Sequence, residues 1–235
     1  MTKILNYNFL PALRGLLLLY NYQNRSFLHS SPLSGGYSFE RKNIMFLTQI
    51  KLDTNNHRIY KDLTNLRAIH GYIEQAFPAE QLLHIRKRHL WRLEGQTILL
   101  LSDDKPDTVR LKKYAKTVQI KDYTPVLKSV KSGAVYRFRI TANPTMVGFK
   151  KHIGAYNTNE IIKWFKHQSE LHGFTFEEAT ITNKEKHRIP HHAFELQSAT
   201  LTGYLKVTDP DKFIDALTTG IGREKAYGMG LLSIA

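Results

Sequence analysis

The residues of this 235-residue chain able to do chemistry are eleven histidines, no cysteines and a cluster of glycines near the C-terminus. The histidine with the most informative neighbours is His70, in "DLTNLRAIHGYIEQAF". At about 100° per residue it falls at the edge of an apolar stripe formed by Leu63, Leu66, Ile73 and Phe77. Arg67 lies one turn before it and Glu74 one turn after, both just outside the stripe. A histidine so placed is ordinarily a satisfied core group, and the helix alone leaves that reading open beside a functional one. In the functional reading Glu74 orients or protonates the imidazole and Arg67 holds a phosphate. The imidazole then gives or takes a proton while an RNA phosphate is transferred to its adjacent 2′-hydroxyl. That reaction needs no metal.

The second feature is "GIGREKAYGMGLLSIA", where Gly220, Gly222, Gly228 and Gly230 are threaded with Arg223, Lys225 and Tyr227. A phosphate-binding P-loop requires G-x-x-x-x-G-K-[ST], and Met229 stands where its lysine would be. A dinucleotide fingerprint should open a helix after a first strand, whereas this segment leaves a helix and enters the last strand. Two readings remain. The glycines let backbone N–H groups approach a phosphate chain, with Arg223 and Lys225 supplying charge, or they form a connection that needs positive φ.

The other histidines carry less. His187 and His191 have four-residue spacing without an H-E-x-x-H context, and read as surface or RNA-facing groups rather than metal ligands. The absence of cysteine excludes disulfides, thiolate catalysis and cysteine-based zinc sites, and permits a reducing cytoplasm. No nucleophile elbow or paired carboxylates for a two-metal nuclease are evident. No cofactor is called for. The net charge of +14 and pI near 9.8 point to an anionic partner. Basic residues concentrate in "HIRKRH" (84–89), "RLKKYAK" (110–116) and "KEKHR" (184–188), interleaved with aromatics, as on a surface that tracks phosphates.

These groups need a frame. Residues 1–44 read as an extension or an early start. "LRGLLLLY" is too short to span a bilayer and makes a poor signal peptide, and "SSPLSGGYS" is loop-like. Removing them takes five basic and one acidic residue from the +14 and leaves the body at +10. From Met45, "MFLTQIKLD" alternates as a strand, the His70 helix follows to Pro78, and "HLWRLEGQTILLL" is a hairpin turning at Glu94–Gln96. A basic segment leads to "AVYRFRITANP", with Tyr136, Phe138 and Ile140 on one face and Arg137 and Arg139 on the other. The order then recurs. "TNEIIKWFKHQSELHGF" is an amphipathic helix with Thr158 as N-cap, "FTFEEATIT" and "FELQSATLTGYLKVT" are strands, and "DPDKFIDALTTG" is a short helix. "GMGLLSIA" is the final strand. Two successive halves, 45–142 and 143–235, predict two small α+β sandwiches of the split βαβ type.

Taken in order, "MFLTQIKLD", "LRAIHGYIEQAFP", "WRLEG", "YRFRITANPT", "IIKWFKHQSELHGF" and "LTTGIGREKAYGMGLLSIA" resemble the CasE family of CRISPR repeat-processing endoribonucleases, subunits of the type I-E Cascade complex within the RAMP superfamily. The resemblance covers nearly all of residues 45–235. It implies two tandem ferredoxin-like (RRM-like) domains that recognise a CRISPR repeat stem-loop and cut at the 3′ base of the stem. Cutting would be metal-independent and leave a 2′,3′-cyclic phosphate and a 5′-hydroxyl, the enzyme staying on its product beside other Cascade subunits, with no membrane involved. It implies His70 as the catalytic histidine. Where the family often has tyrosine, this chain has Arg67, which can stabilise a phosphorane but cannot donate a phenolic proton. The RNA-binding residues it implies are Lys184, Lys186 and Arg188 ahead of the long penultimate strand, and Gly220, Gly222, Arg223, Lys225, Gly228 and Gly230 in the glycine loop. Beside it stand a non-catalytic RNA-binding subunit of the same fold and a basic ribonucleoprotein component unrelated to CRISPR.

Overall fold

The computed structural model describes residues 44–56, 59, 65–84, 87–148, 151–154, 157–188 and 195–235. The expected extension, up to residue 43, lies outside the described residues, as do His191 and His192. The first sheet is built from β1 (Phe46–Leu52), β2 (Leu90–Glu94), β3 (Thr97–Ser102) and β4 (Ala115–Asp122), in the order β2-β3-β1-β4 and antiparallel throughout. Helices α1 (Leu66–Glu74), α2 (Pro78–Leu82) and α3 (Thr108–Lys112) connect its strands. The second sheet holds β5 (Val135–Ala142), β8 (Phe174–Arg188), β9 (Glu195–Val207) and β10 (Leu232–Ile234), in the order β10-β5-β9-β8. It is linked to the first through α4 (Thr124–Ser129). Between β5 and helix α5 (Thr158–Leu171) stands the hairpin of β6 (Thr145–Gly148) and β7 (Lys151–Gly154), and α6 (Pro210–Thr219) leads to the glycine loop and β10.

Each sheet carries its first strand in the middle and its last on one flank, which is the split βαβ order expected from the repeated pattern. The domain boundary differs. The expected split at 142/143 puts β5 in the first half, yet it pairs with β9 and β10 and is the first strand of the second sheet. Its buried face, Phe138, Ile140 and Ala142, packs on Phe165, Phe174 and Phe213, so non-local packing fixes its membership.

Three further elements depart from expectation. The basic segment is the short helix α3 followed by edge strand β4, whose exposed Lys116 suits a strand flank. The cap of α5 is Asn157, not Thr158. Its Oδ1 accepts from the Glu160 N–H at 2.8 Å in a capping box, leaving Thr158 as the first helical residue. The "KEKHR" run ahead of the penultimate strand is itself strand, the distal end of β8, paired with β9 through Arg188↔Glu195. Among the described residues no helix is long and apolar enough to cross a membrane.

The two sheets are joined by Arg92. Alternation along β2 sends Trp91 into the core beneath α1 and Arg92 to the other face, toward the second domain. There, 1% exposed, Arg92 Nη1 donates to the carbonyls of Arg139 (3.2 Å) and Leu231 (3.0 Å), and Nη2 to Ser233 Oγ (3.0 Å). Its Nε donates to Glu94 Oε1 at 2.6 Å, and Arg139 Nε lies 2.9 Å from the same oxygen.

Candidate RNA-processing site

His70 sits on α1, whose start is set by Asn65. The Oδ1 of that residue accepts from the N–H groups of Arg67 (3.1 Å) and Ala68 (3.3 Å), satisfying donors that the helix leaves open. Leu66, Ile69 and Ile73 anchor the helix in the core of the first domain. That leaves Arg67 exposed and His70 at the rim, its side chain 25% exposed. His70 Nδ1 lies 3.9 Å from Glu74 Oε1, within ion-pair range but too long for a hydrogen bond.

The glycine loop is folded against this helix. Its short 3₁₀ turn, Lys225–Tyr227, contacts α1 and β2. Met229 is buried with Leu66, Ile69, Ile73 and Trp91, and Tyr227 packs on the same cluster. Leu196 of β9 joins that cluster too, which carries the distal end of β8–β9 to the first domain. The structure therefore gathers the His70 helix, the glycine loop and the "KEKHR" strand end around one apolar cluster. Lys184 and Lys186 line a half-open cavity of about 170 Å³ together with Pro144, Ile161 and Gln197. Arg188 is exposed at the strand end.

The glycines themselves face inward. All four have positive φ, from 77° to 87°. A Cβ on Gly228 would stand 2.6 Å from Cζ3 of Trp91, and one on Gly222 would stand 3.0 Å from Cζ2 of Trp164. The N–H groups of Gly220, Gly228 and Gly230 donate to the carbonyls of Ala216, Lys225 and Thr141. The backbone cradle expected for a phosphate is thus engaged within the protein at these three positions. What the loop offers solvent is Arg223, exposed, and Lys225 and Tyr227, half-buried. Gly228→Ala is expected to destabilise the protein by about 2–4 kcal/mol, combining about 1 for a left-handed alanine with about 1–3 for overpacking against Trp91. A urea denaturation midpoint equal to wild type would show that the tryptophan can give way.

Several histidines expected at the surface are structural. His89 stacks on Phe77 with ring centroids 3.8 Å apart, and its Nε2 lies 3.2 Å from Glu80 Oε2, both side chains buried. His187 Nε2 is 2.8 Å from Ser198 Oγ, and burial lowers its pKa against the opposing pull of Glu185. Among the described residues no group of three or more His, Asp or Glu converges as a metal site would.

Tandem split βαβ domains, with the His70 helix packed against a basic glycine loop, define a protein of the tandem ferredoxin-like α+β class. Residues 45–235 match the family model described as CRISPR associated protein, and the chain belongs to that family. It is 28% identical over 214 residues to the CRISPR-associated endoribonuclease Cse3 of Thermus thermophilus, covering 81% of this chain and 100% of the relative. Its fold is similar to that of Thermus thermophilus Cse3 bound to an RNA representing a pre-cleavage complex, with a TM-score of 0.74 and 28% identity over 82% of this chain and 99% of that one. It shares the fold of Cas6e from Escherichia coli K-12, with a TM-score of 0.61 at 20% identity over 81% of this chain and 98% of that one. The CasE resemblance and the tandem ferredoxin-like fold read from the sequence are borne out.

Proposed function

We propose that this protein is a metal-independent endoribonuclease that binds the stem-loop of a CRISPR repeat and cuts precursor CRISPR RNA into guides. The observation that carries the reading is the packing of the His70 helix against the glycine loop on a strongly basic body. Its similarity to an endoribonuclease of the same family supports it. In the reaction the 2′-oxygen at the cut site bonds to the adjacent phosphorus as its proton leaves, and the bond from phosphorus to the 5′-oxygen breaks as that oxygen gains a proton. The products are a 2′,3′-cyclic phosphate and a 5′-hydroxyl. The His70 imidazole performs one of the two proton transfers. Arg67, exposed one turn away, offsets charge on the phosphorane. Lys184, Lys186, Arg188, Arg223 and Lys225 hold the RNA, and the four glycines shape the loop that presents the last two. The enzyme works in the cytoplasm and stays with its product beside the other Cascade subunits.

The test is cleavage of a repeat hairpin in EDTA, with a single deoxy substitution at the 2′ position of the cut site set against the all-ribose RNA. Cutting of the ribose RNA alone is expected. Cutting of both would place the nucleophile elsewhere and end the mechanism. Arg67 in place of the family tyrosine favours a second reading, a subunit that binds without cutting, and tight binding with neither RNA cut would establish it.

A further inference from the structure

Lys225 of the glycine loop runs toward the start of β2, where Arg88 stands two residues before Leu90. The aliphatic stem of Lys225 is laid across the glycine loop: a Cβ on Gly230 would approach its Cγ to 3.3 Å, and one on Gly220 would approach its Cε to 3.1 Å. The stem thus runs close over both glycines. The same Cβ on Gly220 would stand 2.8 Å from Cδ2 of Leu90, so the far end of Lys225 lies beside the start of β2. Arg88, exposed, is two residues before Leu90 in that approach. Among the described residues neither cation forms an ion pair within 4 Å. The other charged groups facing Lys225 come from the second domain. They are Asp215 on α6 and His172, the C-cap of α5. Burial, then the nearby Arg88, hold the lysine below its ordinary pKa, while Asp215 opposes them. Two like charges brought near one another by the glycine loop, opposed by the carboxylate of Asp215, make a site that an anion relieves.

We propose that Arg88 and Lys225 form a two-cation seat for one backbone phosphate of the bound RNA, bridging the first domain and the glycine loop. This rests on the RNA-processing reading above and deepens it: a phosphate seated there ties the RNA to both domains at once. Arginine supplies a planar fork and lysine a point charge, a pairing suited to one phosphate's several oxygens. The "HIRKRH" run marked the stretch as basic, but nothing in the sequence joined it to the loop.

The experiment measures equilibrium binding of a repeat-hairpin RNA to a His70→Ala protein, which leaves the RNA intact, over roughly 50 to 200 mM salt. Arg88→Gln and Lys225→Gln are each expected to weaken binding about tenfold. Each should flatten the plot of log affinity against log salt by about 0.7 to 0.9, one phosphate's worth. Because both hold the same phosphate, the double variant should lose clearly less than the product of the two single losses. Arg88→Lys should recover part of the slope, and thermal melting checks that every variant is folded. An unchanged slope, or strictly multiplicative losses, would overturn the seat. A scrambled RNA of equal length separates the two claims. If it binds as tightly as the repeat hairpin, the repeat-recognition reading fails, while the slope changes still decide the seat.

Discussion

His70→Ala lowers the rate constant for cutting a repeat hairpin by about 10²–10⁴-fold, the range for removal of a positioned general acid or base. The affinity for the uncut RNA stays within about twofold of wild type, on the ground that the lysines and arginines hold the phosphates. The two effects separate because of where the residue sits. Leu66, Ile69 and Ile73 hold α1 in the core, while His70 is only at its rim, so truncation opens no deep cavity. Alanine also favours the helix. Single-turnover cleavage and filter binding on the same RNA give both numbers. Cleavage within threefold of wild type would move the chemistry to another group. Equal losses in rate and affinity would make His70 a binding residue.

Local signals were legible and partners were not. The alternation of Tyr136, Phe138 and Ile140 identifies β5 because the strand has one buried face, and Asp209 with Pro210 marks the start of α6. The N-cap of α5 lies one residue before the expected Thr158, since Asn157 and Thr158 both carry capping oxygens and only the backbone at Asn157 is extended. β4 is hidden by its lysines and by its own bulge at Lys116, opposite Lys51 and Leu52, which breaks the period-two pattern. The site shows the same division. His70 with Arg67 and Glu74 is readable because they share one helix face. The need for glycine at Gly220, Gly222, Gly228 and Gly230 was also readable as a need for positive φ. What these glycines touch was not, because Trp91 and Trp164 come from two other elements, far off in sequence. Arg92 looked like an ordinary hairpin residue, as its acceptors are supplied by the other domain.

That last residue carries the largest stability prediction. Arg92→Ala should destabilise the protein by about 3–5 kcal/mol, the range for removing one member of a buried ionic network. In a protein of this size that is a fall in Tm of about 6–20 °C. The loss is large because the guanidinium fills a wholly buried place and serves four acceptors: two carbonyls, a hydroxyl and Glu94. Arg92→Lys should recover little of it, since one ammonium cannot span the fork that reaches Leu231, Ser233 and Glu94 together. Glu94→Gln should cost less, as both arginines keep an acceptor in the amide oxygen. A thermal melt of the three variants ranks them. If Arg92→Ala melts within about 3 °C of wild type, the effect of only about 1 kcal/mol on a chain of this length, Arg92 does not hold the seam. The consequence for function follows from the strand it occupies. Trp91, its neighbour on β2, is the surface on which Gly228 rests, so the residue that ties the second domain to β2 also sets where the glycine loop meets the His70 helix. Cleavage by Arg92→Ala should therefore fail at a lower temperature than cleavage by wild type, in step with its melting, while at low temperature its rate approaches the wild-type value.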